Sequence, residues 1–499
     1  MFTTRLLPLL LLSSLSLHAQ QKSRKDTDFS KIISAAELSK QLYIIASPEM
    51  QGRNTPSIGL DKAADYLVSE FREMGLQSPP GMDFKQPYPL YKDSVLSSSL
   101  TVNGLTFSAD TDFQMNTSNY SFKLNAGEVV FAGYGMSDSL RNDYRGLDVR
   151  GKVVLVLAGT PRPGGGRGQF INKQAIAAQF GAAAVIQVQE NLSLQSRLMG
   201  NRHYLEVYRP VNYPPLITVR ANVAKEITGK TLEELQAEGK NGATQSSFKT
   251  RLSLEFSKVT RSEMTQNVLG MLEGTDLKEE MLILTAHYDH VGTSGDKIYA
   301  GADDDGSGTV SILTIARAFA TAAKAGNGPR RTILFMLVSG EEKGLWGSAY
   351  YTQHPIHPLE KSVVNLNIDM VGRIGDPYRN RADSANYVFI IGDDKLSSAL
   401  RPISEEANRK NGSMTLDYTY NDPNDPNRFY YRSDHYNFAE KGIPVIFYFN
   451  GVHADYHQPT DTPEKINYPL MEKRAKLVYH TAWEIANREA SIPRDQFKP

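Results

Sequence analysis

The chain has 499 residues, more than one hydrophobic core serves well, so at least two structural units are expected. Its 55 basic and 55 acidic residues cancel, leaving no cationic excess to neutralise phosphates, which argues against nucleic acid as a partner. Cysteine is absent, so disulfides and thiolate metal sites are excluded and any metal must be held by His, Asp and Glu.

At the N-terminus Arg5 precedes an apolar run from Leu6 to Leu17, broken by Pro8 and serines and ending in Leu-His-Ala before Gln20. This has the build of a secretory signal peptide over residues 1–19, cut after Ala19, so the expectation is an exported chain, periplasmic or extracellular. A membrane anchor needs roughly 20 apolar residues, and neither this run nor any other stretch supplies them, so no membrane contact is expected once the signal is removed.

Residues 20 to 33 are polar and read as a loose lead-in. Apolar residues then recur at helical spacing over 36–46 and 60–74, which predicts two amphipathic helices around the loop SPEMQGRNTPS, with Gly75 ending the second. Residues 84–125 alternate weakly and predict short strands, with a hairpin turn at Asn103-Gly104.

A change of pattern near Ala126 opens a β-rich unit of strand, strand, loop, helix and strand, closing at the polar stretch KNGATQSS. Domain limits follow: an insert over 126–249, and a body formed by 34–125 and 250–490. The segments GLDVRGKVVLV and GAAAVI make the insert resemble a protease-associated domain, found in several exopeptidases. Gly164 to Gly166 beside Arg162 and Arg167 read as an anion cradle or as a plain surface loop; no phosphate-loop pattern surrounds them.

From Asn267 apolar strands alternate regularly with longer helical segments. Strands are predicted at 281–286, 332–338, 363–368, 387–391 and 444–449, and helices at 309–323, 396–410 and 468–488. The fold class is therefore α/β, a mostly parallel, mixed central sheet flanked by helices. His287 ends the first of these strands, Glu341 and Glu342 follow the second, Asp369 closes the third, and His457 lies beyond the last; Asp304 comes from the glycine-rich loop GADDDGSG. In open α/β sheets ligands gather at this carboxyl edge. These ligands exceed what one open tetrahedral zinc needs and suit two zinc ions sharing a carboxylate, roughly 3.5 to 4 Å apart. Of the adjacent pair Glu341 and Glu342, one can ligate while the other takes a proton as general base.

The motifs AHYDH, GADDDGSGT, SGEEKGLWGS, NLNIDMVGR and DYHQPTDTPEK resemble, in order and separation, the di-zinc exopeptidases of metallopeptidase family twenty-eight. With the insert, the arrangement resembles the family's secreted bacterial aminopeptidases, and implies a zinc exopeptidase (phosphorylase/hydrolase-like) fold acting on peptides or proteins. The resemblance implies that His287 and Asp369 hold one zinc, Glu342 and His457 the other, and that Asp304 bridges them, with a cis peptide between Asp304 and Asp305. It further implies Glu341 as general base, Asp289 orienting His287, and Tyr456 near the oxyanion. Arg432, Asp434 and Tyr431 are candidates for substrate contact. His290 reads as a loop cap, and His453 as a possible decoy ligand. The tract NDPNDPN (421–427) reads as a rigid turn or a calcium loop, and Trp346 as a packing residue. Carboxypeptidase or dipeptidase action, a one-zinc glutaminyl cyclase and a non-catalytic binding protein are the rival readings.

Overall fold

The computed structural model describes residues 28–115, 118–161, 171–192, 202–206, 213–240 and 246–496. The predicted signal peptide and the glycine-arginine loop at 162–167 lie outside these residues.

One sheet carries the chain's organisation. In the body its strand order is 415–417, 387–391, 445–449, 362–368, 277–287, 331–338 and 246–272. The strand Leu277–His287 pairs in parallel with Arg331–Val338 and Ser362–Ile368, and the latter in parallel with Val445–Phe449. Antiparallel neighbours flank this set: Tyr387–Ile391 beside Val445–Phe449, and Ser246–Leu272 beside Arg331–Val338. The sheet is thus mixed and mostly parallel at its centre, as predicted.

Burial on both faces explains the continuous apolar runs. Leu282, Leu284 and Ala286 join Ile333, Phe335 and Leu337 in the core under helices Gly308–Lys324 and Tyr468–Asn487. Met281 and Ile283 point the other way, with Leu334, Met336 and Val338, towards Tyr351 and Phe438. The N-terminal helices Ala35–Ile45 and Ile58–Met74 close the first face; Ser57 caps the second through its hydroxyl, 3.1 Å from the Leu60 amide, and Gly75 ends it at φ 78°. Only a left-handed C-cap lets the chain leave there, and glycine adopts it without a Cβ penalty.

The prediction of short strands over 84–125 holds for Leu105–Phe107 and Phe113–Gln114 and is corrected before them. A single 18-residue strand, Lys85–Val102, runs antiparallel to the 27-residue strand Ser246–Leu272, from Lys85 opposite Val268 to Val102 opposite Leu252. Its middle, around Val95 to Ser99, is largely exposed and carries a register shift, so no alternation spans the whole strand. The Asn103-Gly104 hairpin is where it was expected, with Val102 opposite Leu105.

Through this long pair the sheet continues into a second cluster of strands, Phe122–Phe131, Val153–Leu157, Ala184–Val188 and Leu216–Val219. Their apolar core takes in Leu100, Val102 and Phe113 before residue 126, and Leu252, Leu254 and Phe256 after residue 249. Helix 396–410 is observed later, at Leu400–Asn411, because Asp393 to Ser398 form a loop in which Asp393 pairs with Arg401 at 2.7 Å.

Candidate metal centre

Register brings the polar residues to one edge. His287 is opposite Val338, so the chain turns directly from Val338 into Ser339-Gly340-Glu341-Glu342 beside it. On the other side Thr285 pairs with Asn367, and Ile368 with Tyr448, placing Asp369 at the same level. The loop Ala302–Ser307 folds across these ends, with a cis peptide between Asp304 and Asp305.

His287 Nε2 lies 3.3 Å from Asp304 Oδ1, 3.6 Å from Asp369 Oδ1 and 3.9 Å from Glu341 Oε2. His457 Nε2 lies 3.0 Å from Asp304 Oδ2 and 3.0 Å from Glu342 Oε2. Asp304 therefore stands between two groups, one around His287 and Asp369, the other around His457 and Glu342. His290, read from sequence as a loop cap, is fully buried with Nδ1 2.8 Å from Glu342 Oε1, and joins the second group.

The supports are mostly main chain and hydroxyl. Asp369 Oδ2 accepts from the Ser433 hydroxyl at 2.7 Å. Asp305 accepts the amides of His287, Gly308 and Met370, fixing strand end, helix start and third strand together. Asp461 Oδ2 accepts the amides of Asp303 and Asp304 at 2.9 and 3.2 Å. His453 ties to Asp303 Oδ2 at 3.0 Å, beneath the ligands rather than among them. His287 Nδ1 meets the Asp289 main-chain carbonyl at 3.1 Å and its carboxylate at 3.6 Å.

Among the described residues, His287 Nε2, Asp304 Oδ2, Glu342 Oε1, His457 Nε2 and both ring nitrogens of His290 are buried without a hydrogen-bond partner. Buried polar atoms are normally satisfied, so a convergent set of orphans calls for a cation. A nitrogen and carboxylate donor set of this kind fits zinc, and the residues fit two ions sharing Asp304. Charge agrees: against the penalty of burial, the neighbouring imidazoles of His287, His457 and His290 hold Asp304 well below the usual carboxylate range. Burial pushes Glu341 well above it, with His287 opposing and Asp369 and Glu342 adding.

Asp304, which carries one of the orphaned atoms, also lines a cleft with Glu341, Asp369, Arg432 and Tyr456 among polar residues and Phe429, Phe447 and Phe449 as aromatic walls. Arg432 lies over the Phe429 ring, its Nη2 3.5 Å from the Tyr456 hydroxyl, and burial keeps that phenol protonated. Two of the candidates for substrate contact are not on this lining. Tyr431 packs against Tyr430 and Tyr436 with Arg428 over its ring, and Asp434 is buried, accepting from Ser348 Oγ at 2.5 Å. The 421–427 tract is a pair of Asx turns, Asp422 accepting from the Asn424 amide and Asp425 from the Asn427 amide. Trp346 starts its helix in a buried packing role.

Residues 267–482 match peptidase family M28. That segment begins on the long strand and ends inside the last helix, so it contains every residue of the two groups. The chain is 27% identical over 350 residues to the aminopeptidase YwaD of Bacillus subtilis, covering 68% of this chain and 64% of that protein. It is 32% identical over 215 residues to a probable leucine aminopeptidase of Arthroderma otae, covering 42% and 55%. The chain thus aligns to less than two thirds of either relative. Among solved structures, an aminopeptidase from Aneurinibacillus sp. strain AM-1 superposes over 94% of this chain and 98% of its own, with a TM-score of 0.52 at 19% identity, a likeness of fold.

Several contributors to the site carried no sequence signal. Arg53 is wholly buried and donates to the carbonyls of Tyr288, Ile45, Ala300 and Gly301 at 2.7 to 2.9 Å. Nothing distinguishes it in SPEMQGRNTPS from a surface arginine. Asp461 sits inside DYHQPTDTPEK, four residues after His457, and its place in that motif was the available clue.

Proposed function

We propose that the chain is an exported zinc aminopeptidase that removes N-terminal residues from peptides, with two zinc ions held by His287, Asp304, Glu342, Asp369 and His457. The observation that carries this reading is the set of orphaned donor atoms gathered around Asp304, which also lines the cleft that holds Glu341. The match to family M28 and the aminopeptidases among the relatives support it.

When bound, zinc supplies Lewis acidity towards the scissile carbonyl and makes water a usable nucleophile near neutral pH. The protein's own groups account for the rest. Glu341 takes the proton of the attacking water on a carboxylate oxygen and returns it to the departing amine nitrogen, a role suited to a carboxyl raised by burial. The Tyr456 hydroxyl, kept protonated, donates a hydrogen bond to the oxyanion of the tetrahedral intermediate. Phe429, Phe447 and Phe449 exclude water from the cleft floor and offer apolar surface to a side chain.

Residues 1–19 act as the signal peptide, and the insert 126–249 as a protease-associated domain that filters access to the cleft. One observation favours a second reading: Arg432 on the cleft wall could receive a terminal carboxylate, as carboxypeptidase or dipeptidase action requires. Matched peptides with free or acetylated N-termini and free or amidated C-termini separate the two. Stepwise loss from free N-termini, with acetylated peptides intact, supports the aminopeptidase; cleavage of acetylated peptides only when the carboxylate is free supports the alternative. No cleavage of either by zinc-loaded protein would overturn both.

A further inference from the structure

The turn that carries Glu341 and Glu342 is tied to the following helix by main-chain bonds but has no side-chain cap of its own. The 3-10 turn Glu341–Lys343 follows Gly340 at φ 74°, and neither its N-cap nor that of the following helix Trp346–Gln353 is closed by a side chain. Its two leading amides are instead captured from other parts of the chain. The Gly340 amide donates to Thr55 Oγ1 at 3.0 Å, and the Glu341 amide to Asp289 Oδ1 at 3.1 Å. Thr55 Oγ1 in turn donates to Asp289 Oδ2 at 3.1 Å. One hydroxyl and one carboxylate, bonded to each other, thus fix consecutive amides directly before the proposed base.

Both groups are buried, Thr55 at 2% exposure and Asp289 at 0%, so no water competes for these bonds. The loop bearing Thr55 is itself immobilised: Arg53 donates to four carbonyls, of which Tyr288 and Gly301 flank the two ligand-bearing segments, and the Arg53 carbonyl accepts the His290 amide at 3.1 Å. His287 Nδ1 lies closer to the Asp289 main-chain oxygen than to its carboxylate. The Asp289 carboxylate is therefore engaged chiefly with Thr55 and the Glu341 amide.

We propose that Thr55 is a positioning residue for Glu341, acting through Gly340 and Asp289, so that the N-terminal loop sets the orientation of the base without touching substrate or metal. This rests on the reading of Glu341 as general base. The bonds require a group that donates and accepts at once, which serine and threonine hydroxyls do and valine does not. A small displacement of a catalytic group is enough to lower turnover roughly a hundredfold.

The test compares Thr55→Val, Thr55→Ser and Thr55→Ala in the full chain. Three quantities are read: kcat and KM on a free-amino peptide, zinc content with chelator competition, and hydrogen exchange of the segment 339–347. Thr55→Val and Thr55→Ala are expected to lower kcat about ten- to a hundredfold with KM and zinc affinity unchanged, and to speed exchange of 339–347 in both zinc-loaded and metal-free protein. Thr55→Ser is expected to restore both. Exchange and kcat unchanged in Thr55→Val would overturn the proposal, as would a kcat loss matched by zinc loss and not rescued by serine. If the unaltered zinc-loaded protein cleaves no peptide while exchange still rises in Thr55→Val, the fault lies with the proposed function and not with the contact. If the valine and alanine variants do not fold, failure of Thr55→Ser to protect 339–347 as the unaltered chain does would overturn it.

Discussion

Glu341 and Glu342 are adjacent in sequence but meet different surroundings. Glu342 reaches His290 and His457, whereas Glu341 faces His287 Nε2 at 3.9 Å from within the cleft. Removing the charge of the first should therefore unload metal, and removing that of the second should not. Glu341→Gln is expected to lower kcat roughly a hundred- to ten-thousandfold with zinc content intact, whereas Glu342→Gln should lose zinc, as metal analysis beside peptide kinetics would show. Tyr456→Phe, which deletes one donor to the oxyanion, should lower kcat by about a hundred- to a thousandfold and leave zinc content unchanged. Arg53→Met strands four buried carbonyls, each normally too costly to leave unpaired, and should lower stability by about 3 kcal/mol or more, read by denaturant unfolding.

At the scale of elements, the ligand groups depend on how closely a helix can approach a strand end. A Cβ on Gly308 would lie 2.4 Å from the Asp305 carboxylate, the group that accepts the His287, Gly308 and Met370 amides. Gly308→Ala is expected to push helix Gly308–Lys324 off the sheet end and weaken zinc binding in a chelator competition, whereas Gly326→Ala, in open space beyond the same helix, should not. The sheet and the placing of its polar residues were legible because burial on both faces leaves continuous apolar runs, and because two of those residues stand directly at a strand's end: His287 after Leu282 to Ala286, Asp369 after Val363 to Ile368. The long pair Lys85–Val102 and Ser246–Leu272 was not, since it passes from one core to another and its exposed middle breaks the alternation. Thr55 and Arg53 were hidden for a different reason. They act on main-chain groups far away in sequence, and such contacts leave no pattern in the residues that make them.

For the whole molecule, the insert and the body share a sheet but differ in what stabilises them. In the insert Lys173 is buried and donates to the Leu157 and Gly159 carbonyls, and burial lowers its pKa from 10.5 to about 8, with Asp143 opposing. Between those values the unfolded chain holds the proton and the folded chain does not, so stability is lowest below the window and rises with pH through it. The melting temperature is expected to gain from this group between about pH 8 and about pH 10, and Lys173→Met should remove that gain in a calorimetric series. Among the described residues, the buried carboxylates of Asp304, Glu342 and Asp369 form ion pairs with histidine alone. Metal bound there stabilises the fold by mass action, on the order of 4 kcal/mol at a thousandfold excess over Kd, so chelation should lower the melting temperature.

The most direct test of the proposed two-metal centre is zinc stoichiometry, measured by elemental mass spectrometry on dialysed, zinc-reconstituted protein beside Asp304→Asn. The proposal predicts two zinc ions per chain, falling in the variant together with peptide hydrolysis, because the shared carboxylate would serve both groups. A single zinc in the unaltered chain, or two retained in Asp304→Asn with full activity, would contradict it.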